Sequence, residues 1–407
     1  MNIKIRYIIE NWYFFLSILA ISNMLGLYDW FTLMVLSVLL TLPIYLKRIN
    51  WSGLDALVLF FIFYNLISGI FSNYPGMLYY YGIKTQVVSI LFYFIGRSKY
   101  FNNQFFLDKA RPIFLLIFIS SLFLYFFPPS FYTEYKTANL SSDTSVKIFY
   151  EATRMSGFWP APYFLGVTSI ISIIYICNKI FIEQVFSKRN WIFLSLAVIC
   201  LFFSQMRVAI AYSILFLVSL TIITIIYRLK TRKILMFFLL FILILFFTIY
   251  YIVIHYMPQE FVQYVLDRSV EQDNGLIKER ILLFEDFFKY ISFFGYGLGR
   301  FGHMALEFNL QSITDCDYLR VLCELGYLGL FILLIILCTA LYKGFINLRR
   351  CFCDFFIIGY FLASMIGAAP LLSINQHSFL LWFCIGHIVQ TSQYKLRYEN
   401  NSHFMGT

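Results

Sequence analysis

Residues 190–227 read NWIFLSLAVICLFFSQMRVAIAYSILFLVSLTIITIIY. The stretch is apolar on both sides of a short polar break, and Arg207 is its single charged residue. Each half has nearly the ~20 residues that a helix needs to cross a hydrocarbon core of about 30 Å. The stretch therefore predicts two membrane-spanning helices joined by the tight turn Ser204-Gln205-Met206-Arg207.

The composition extends this prediction to the whole chain. Of its 407 residues, 61% are hydrophobic and 13% are charged, whereas soluble domains have roughly 45–50% apolar and about 25% charged residues. This balance excludes a disordered chain and a small disulfide scaffold. An outer-membrane barrel would show ~10-residue alternating segments rather than long apolar runs. The composition thus predicts an all-α polytopic membrane protein.

About twelve transmembrane helices are predicted, and they form a single integral membrane domain over residues 1–407. The first is interpreted as a retained helix rather than a cleaved signal, because no small-residue cleavage site follows it. The spans are expected near 7–25, 27–46, 54–71, 78–96, 111–128, 158–177, 190–206, 208–227, 234–256, 317–341, 352–371 and 376–392.

The charges orient these spans in the membrane. With the N-terminus inside, about twenty of the 31 Lys and Arg residues fall in cytoplasmic segments, and about ten acidic residues lie on the other side between Glu260 and Asp317. Basic loops favour the cytoplasmic side. Both termini are therefore expected in the cytoplasm, and the net charge of +10 is explained without a nucleic-acid partner.

Two long outer loops, 129–157 and 257–316, are where we expect the function to lie. The second loop is predicted to contain amphipathic helices, because its apolar residues are too frequent for a disordered linker. The two loops follow the fifth and ninth spans, whereas a transporter built from two similar halves would place them at matching positions. This asymmetry argues against a transporter.

Two short motifs in the second loop have ordinary explanations. Gly297-Leu-Gly299-Arg-Phe-Gly302 matches a dinucleotide-binding pattern but lacks the strand–turn–helix setting that this pattern needs. It is better interpreted as a tight turn, whose amides could also contact an anion. Asp315-Cys316-Asp317 is either a helix cap or a source of a general base. No cysteine or histidine spacing predicts a structural metal site.

Arg207 and Arg280 are the most informative single residues. Ionisable groups at membrane depth are costly and are candidates for function, although an arginine can also extend to the lipid headgroups. A helix over 276–292 would place Arg280 within an apolar stripe formed by Ile277, Ile281, Phe284, Phe287, Phe288 and Ile291. A cation on that face needs an anionic partner, either a carboxylate or a substrate phosphate.

Three further cations are expected near the outer membrane interface. Arg154 closes the first long loop, and Lys84 lies one or two turns below the outer surface in the fourth span. Arg320 is spaced to pair with Glu324 at i,i+4 in the tenth span. Arginine binds phosphate well because its planar fork donates two parallel hydrogen bonds. An anionic lipid headgroup is therefore the expected partner of these cations.

Four stretches in this order resemble the O-antigen polymerase and ligase family of the bacterial envelope, over roughly residues 150–340. They are Arg154-x-x-Gly157 with Pro160, the turn Ser204 to Arg207, Arg280 followed by Gly295-Tyr-Gly297-Leu-Gly299, and Asp317-Tyr-Leu leading to Glu324-Leu-Gly326-Tyr-Leu-Gly329.

The resemblance implies glycosyl transfer at the periplasmic face of the inner membrane, from an undecaprenyl-diphosphate-linked oligosaccharide to a hydroxyl acceptor, without nucleotide, metal or other cofactor. Arg207 and Arg280 match the arginines that bind the diphosphate. Asp315 or Asp317 would act on the acceptor, and Arg154, Lys84, Arg320, Gly297 and Gly299 would contact the substrate. Expected partners are membrane lipids, a chain-length regulator and a flippase.

Polymerase is favoured over ligase at one position. Ligases of this family usually carry His-Asn before the Tyr-Leu of the tenth span, and Asp315 and Cys316 stand there. A flippase is the alternative from another class. It would need charges lining a central cavity, whereas the unusual cations here gather near the outer loops.

Overall fold

The computed structural model describes residues 49–70, 74–97, 103–132, 154–157, 162–226, 285–313, 316–366 and 376–404, with a few isolated positions between them. Regular structure within these ranges is helical, and they contain no strand. The helices are α1 Gly53–Ile70, α2 Gly76–Gly82, a π-helical turn Ile83–Val87, α3 Val88–Gly96, α4 Asn103–Phe126, α5 Pro162–Cys177, a second π-helical turn Asn178–Ile182, α6 Lys188–Ser204, α7 Arg207–Ile226, a 3₁₀ helix His303–Phe308, α8 Asp317–Ile346, α9 Phe352–Ser364 and α10 Gln376–Phe404.

Four described helical segments are long and apolar enough to cross a membrane: Gly53–Ile70, Pro162–Ile182, Arg207–Ile225 and Asp317–Ile346. This finding confirms the prediction of an all-helical polytopic membrane protein. The predicted spans 7–25 and 27–46 lie outside the described residues, as does most of 234–256. The total of about twelve spans stays a prediction.

Three predicted spans differ in length from the corresponding helices. The helix expected at 111–128 already begins at Asn103, the one expected at 352–371 ends at Ser364, and the one expected at 376–392 continues to Phe404. An apolar window indicates how much of a segment suits lipid, whereas backbone hydrogen bonds decide where its helix begins and ends. The helices α4 and α10 therefore continue through polar residues beyond their apolar parts.

The predicted amphipathic helix 276–292 also needs a correction where the structure describes it. Its last helical residue is Phe288, and Ile291 lies beyond the helix. Phe287 is buried, but Phe288 is 59% exposed although both were assigned to one buried stripe. A helix that ends at Phe288 does not maintain a stripe to Ile291. Arg280 lies outside the described residues.

The chain divides into two compact units. The first comprises residues 1–114 and 290–407, and in it α3 packs against α10 and α8 against α1. Gly96 and Gly386 let α3 and α10 approach closely, since a β-carbon at either glycine would overlap a backbone carbonyl of the other helix. Small residues permit this kind of backbone contact between membrane helices.

A buried ion pair joins α1 to the end of α3 in this unit. Arg97 donates from Nε to Asp55 Oδ1 at 2.7 Å and from Nη2 to Asp55 Oδ2 at 2.9 Å. Tyr93 donates to the same carboxylate, and Gln390 of α10 accepts from the guanidinium. Neither charged side chain is exposed. The charge of Arg97 is therefore neutralised by Asp55 inside the unit.

The second unit comprises residues 115–289. Here α5 packs against α6 and α7, and nearly all of its residues are buried. Gly166 of α5 faces the α6–α7 turn, where a β-carbon would overlap Met206. The turn that the sequence predicted at Ser204 to Arg207 is thus held against a central helix.

Candidate functional site

The first unit contains a broken membrane helix. Gly326 lies within α8 at φ 69° and ψ −172°, a backbone conformation that is not helical. This region of φ/ψ space is essentially restricted to glycine. The break divides α8 into a short segment from Asp317 to Leu325 and a longer one from Tyr327 onward, and it frees backbone groups from their helical partners.

A loop of the predicted outer segment supplies the missing hydrogen bonds. We call residues 292–302 the glycine loop. Before the break, the carbonyls of Cys323 and Glu324 accept from the amides of Tyr296 (2.9 Å) and Gly297 (2.8 Å). After the break, the amides of Tyr327 and Leu328 donate to the carbonyls of Ser292 (3.1 Å) and Phe293 (3.3 Å). Non-helical backbone at membrane depth requires such internal partners.

The two partners fit only because glycines face each other. A β-carbon at Gly295 would overlap the Glu324 carbonyl, and one at Gly326 would overlap the Phe293 carbonyl. Gly295, Gly297 and Gly299 also have positive φ angles of 78°, 102° and 87°. The predicted tight turn is therefore confirmed. Gly295 is explained by close contact with α8, and Gly299 by close contact with Leu78 of α2.

The Glu324 side chain lies beneath the same loop. Its Oε1 accepts from the Phe301 amide at 2.9 Å, and its carboxylate also accepts from the Gly299 amide. The anionic group that these two amides contact is therefore the Glu324 carboxylate. Contact of Gly297 and Gly299 with a substrate stays a prediction.

Arg320 connects Glu324 to Asp317 in a buried charge cluster. Arg320 Nη1 donates to Glu324 Oε2 at 2.6 Å and its Nε donates to Asp317 Oδ1 at 2.9 Å. All three side chains are at most 1% exposed. The i,i+4 pair expected from the sequence is confirmed. Arg320 Nη2 has no hydrogen-bond acceptor within the described part of the chain, so a donor is left for an acceptor from elsewhere.

Asp317 is the first residue of α8, which is close to the position that the helix-cap interpretation predicted. Cys316 is the residue that caps the helix, without a side-chain hydrogen bond, and Asp317 follows it in the first turn. A carboxylate there interacts favourably with the helix dipole. Its bond to Arg320 adds a second role within the fold. Asp315 lies outside the described residues, so its role as a base stays a prediction.

The π-helical turn Ile83–Val87 brings a second helix to the cluster. Gln86 accepts from Arg320 Nη1 at 2.9 Å and donates to Asn65 of α1 at 2.8 Å. Lys84, from the same turn, is partly exposed and lies 5.7 Å from the Tyr81 ring centroid. Single π-helical turns inside α-helices occur frequently at functional sites. No sequence pattern predicted this turn.

The second unit brings Arg154 to the α6–α7 turn. Arg154 Nε donates to the Ser204 carbonyl at 3.2 Å and its Nη2 to the Gln205 carbonyl at 3.4 Å. The Met155 amide donates to the Phe203 carbonyl at 3.0 Å. These carbonyls end α6, where the last turn lacks helical partners and a cation is favourable. Arg154 therefore has a clear structural role at this turn.

Gly157 fixes the other end of this short segment. Its φ is +61°, and a β-carbon there would overlap Ser121 of α4. Tyr132 donates to the Gly157 carbonyl at 2.9 Å. The Arg154-x-x-Gly157 motif of the sequence analysis thus docks one loop against two helices of its unit.

Arg207 is the first residue of α7 and its side chain is exposed. A cation at a helix N-terminus opposes the helix dipole, whereas an anion there is stabilised by the dipole and by the first amides. The helix dipole therefore does not favour Arg207 at this position. The position is suited to binding an anion, with Arg154 at the same turn.

Within the described ranges, no three His, Cys, Asp or Glu side chains are grouped as metal ligands. Acidic side chains of the buried charge cluster are instead occupied by Arg320.

Comparison with known proteins identifies one family that the chain resembles. A search of curated proteins finds no match. A family model described as O-antigen ligase matches residues 192–334, a range that includes the α6–α7 turn, the glycine loop and the break in α8. This match confirms the resemblance seen in the sequence: residues 192–334 are similar to the O-antigen ligase family, whose members are glycosyltransferase-like polymerases and ligases.

Proposed function

We propose that the chain is a surface-polysaccharide polymerase. It transfers an undecaprenyl-diphosphate-linked glycan to a hydroxyl group of another lipid-linked repeat unit, at the periplasmic face of the inner membrane. The observation that carries the proposal is the α6–α7 turn, where Arg207 is exposed at a helix start and Arg154 closes the preceding helix end. Two arginines at one turn suit a diphosphate better than a neutral ligand.

The proposed reaction exchanges a glycosyl phosphate bond for a glycosidic bond. The acceptor oxygen forms a bond to the anomeric carbon of the donor, and the bond from that carbon to the diphosphate breaks. Undecaprenyl diphosphate leaves with the bonding electron pair, and the acceptor proton passes to a carboxylate. Arg207 and Arg280 would neutralise the charge that develops on the leaving diphosphate.

Asp315 and Asp317 have different roles toward the acceptor hydroxyl in this proposal. Asp317 is fully buried and bonded to Arg320, which favours it as a group that positions its neighbours. Asp315 is then the candidate that receives the acceptor proton, since a general base must be within hydrogen-bond reach of the hydroxyl. Lys84 and Arg320 would contribute further positive charge near the substrate.

Ligase is the second candidate, because the description of the matching family names that activity. The two activities differ in the acceptor, which is a lipid-linked repeat in one case and a lipid A core in the other. Asp315 and Cys316 replace the ligase-type His-Asn, and this replacement favours the polymerase.

Deletion of the gene in its own host tests the choice. If the chain is the polymerase, gel-resolved lipopolysaccharide will show a core with a single repeat and no ladder. A bare core with accumulated lipid-linked polymer would indicate a ligase. An unchanged ladder would refute both for this polysaccharide and would redirect the search to other polymers or to a flippase.

Complementation of the deletion strain then tests the arginines. Arg207→Ala and Arg280→Ala should both fail to restore the ladder at normal protein level. Arg189→Ala is the matched control, because Arg189 is also exposed and lies in the first turn of α6, at the other end of that helix from the α6–α7 turn. A normal ladder with Arg207→Ala would remove Arg207 from the site.

A further inference from the structure

The glycine loop and the residues beside it carry an amphipathic group of side chains, which we call the aromatic platform: Tyr290, Tyr296, Arg300 and Phe301. Ring centroids lie 5.5 Å apart for Tyr290 and Tyr296, and 5.2 Å apart for Tyr290 and Phe301. The Arg300 guanidinium lies 4.7 Å from the centroid of the Phe301 ring. The platform therefore combines aromatic faces with hydroxyl and guanidinium groups.

Exposure divides the platform into a base and a surface. Phe301 is fully buried, whereas Tyr296 is 45% exposed, and Tyr290 and Arg300 are partly exposed. The buried Phe301 ring contacts the other three side chains of the platform. An aromatic ring held in this way offers a binding surface at low entropic cost, since its own side-chain freedom is already lost.

The backbone beneath the platform is held in place. Phe301 is bonded through its amide to Glu324, and Tyr296 is bonded through its amide to the Cys323 carbonyl. Glu324 is itself bonded to Arg320 in the buried charge cluster. The positions of Tyr296 and Phe301 thus follow from the broken helix, and the platform is preorganised.

The loop also presents a purely apolar pair, which differs from the platform in chemistry. Phe293 and Phe294 pack edge to face with ring centroids 4.9 Å apart, and they are 59% and 65% exposed. Such a pair suits acyl chains, because it has no polar group to satisfy. The platform instead offers flat apolar faces together with hydrogen-bonding groups, and a sugar ring presents the same two kinds of surface.

We propose that the aromatic platform is a glycan subsite, at which a sugar ring of the lipid-linked substrate packs on Tyr296 and accepts hydrogen bonds from Arg300. This inference rests on the proposed function, because that function supplies the glycan. The subsite is separate in role from Arg207 and Arg280, which are assigned to the diphosphate.

The test uses the purified full-length chain in detergent and an oligosaccharide released by mild acid from the host's own lipid-linked repeat. Binding is measured by saturation-transfer NMR and by calorimetric titration. Tyr296→Ala should bind the oligosaccharide roughly tenfold more weakly, because it removes the exposed ring contact. Phe294→Ala is the matched control, with a more exposed ring on the same loop, and it should bind like the wild type.

Tyr296→Phe separates binding from folding. It retains the ring and should keep most of the affinity, and thermal unfolding of each variant reports whether the loop is intact. Equal affinity of Tyr296→Ala and wild type would overturn the subsite, as would an equal loss in Phe294→Ala. The subsite is likewise overturned if the wild-type chain does not bind the oligosaccharide.

Arg207→Ala separates failure of the subsite from failure of the proposed function. It should bind the free oligosaccharide normally while chain extension is lost. If chain extension persists in Arg207→Ala, the proposed diphosphate contact fails, yet a difference between Tyr296→Ala and Phe294→Ala would still support the subsite.

Discussion

Replacing Gly326 by Ala is expected to destabilise the first unit by about 2–6 kcal/mol. The methyl group would occupy the space of the Phe293 carbonyl, and the φ of +69° is unfavourable for alanine. Backbone strain of this type costs about 1–3 kcal/mol. Loss of two of the four backbone–backbone hydrogen bonds between the glycine loop and α8 adds about 1–3 kcal/mol, at about 0.5–1.5 kcal/mol each.

The matched control is Gly76→Ala, in the first residue of α2. A β-carbon at Gly76 meets no atom within 4 Å, and Ala is the better helix former by about 1 kcal/mol. This variant should therefore be as stable as the wild type or slightly more stable. Both variants remove one glycine from the same unit, so the comparison isolates the contact at the helix break.

The assay is thermal unfolding of the purified chain in detergent, together with complementation of the deletion strain. We expect Gly326→Ala to unfold at a clearly lower temperature than Gly76→Ala and to restore little or no ladder. Gly295→Ala should behave like Gly326→Ala, and the double variant should lose less than the sum because both disrupt one contact. Equal unfolding temperatures for Gly326→Ala and Gly76→Ala would refute the reasoning.

Further variants test three buried or capping arginines. Arg320→Met should cost about 3–5 kcal/mol, because it leaves buried carboxylates without their cation, and adding Glu324→Gln should recover part of the lost thermal stability; no recovery would argue against the pairing. Arg97→Met should lower the unfolding temperature by a comparable amount, since Asp55 would be left unpaired, and a wild-type melting curve would contradict that pairing. Arg154→Ala should cost about 0.3–1 kcal/mol through the lost cation at the end of α6, whereas Arg154→Lys should retain the charge, and identical melting of the two variants would exclude that role.

The comparison between sequence and structure is clearest at α8. The sequence predicted an apolar span that begins near Asp317 and an i,i+4 pair between Arg320 and Glu324, because both features depend on neighbours within one helix. It did not predict the break at Gly326, since the residues around Gly326 continue the apolar run. A break is recognisable only from the loop that replaces the lost hydrogen bonds, and that loop lies about thirty residues away in the chain.

In the second unit, too, local features were predicted from the sequence and long-range contacts were not. The turn at Ser204 to Arg207 was predicted from a single interruption in 38 apolar-rich residues. The contact of Arg154 with the Ser204 carbonyl joins residues 50 positions apart, and no local pattern encodes it. The Arg97–Asp55 ion pair likewise joins residues 42 positions apart, so no local pattern predicts it.

The sequence by itself determined the membrane-spanning helical class, the positions of several helices and the local glycine turn. These properties follow from hydrophobic length, charge distribution and short-range backbone geometry. The tertiary structure alone decided that the glycine loop completes a broken helix, that Glu324 receives the loop amides and that Arg154 closes α6. Burial without water leaves each backbone group and charge in need of a partner, and only the fold determines which distant residue supplies it.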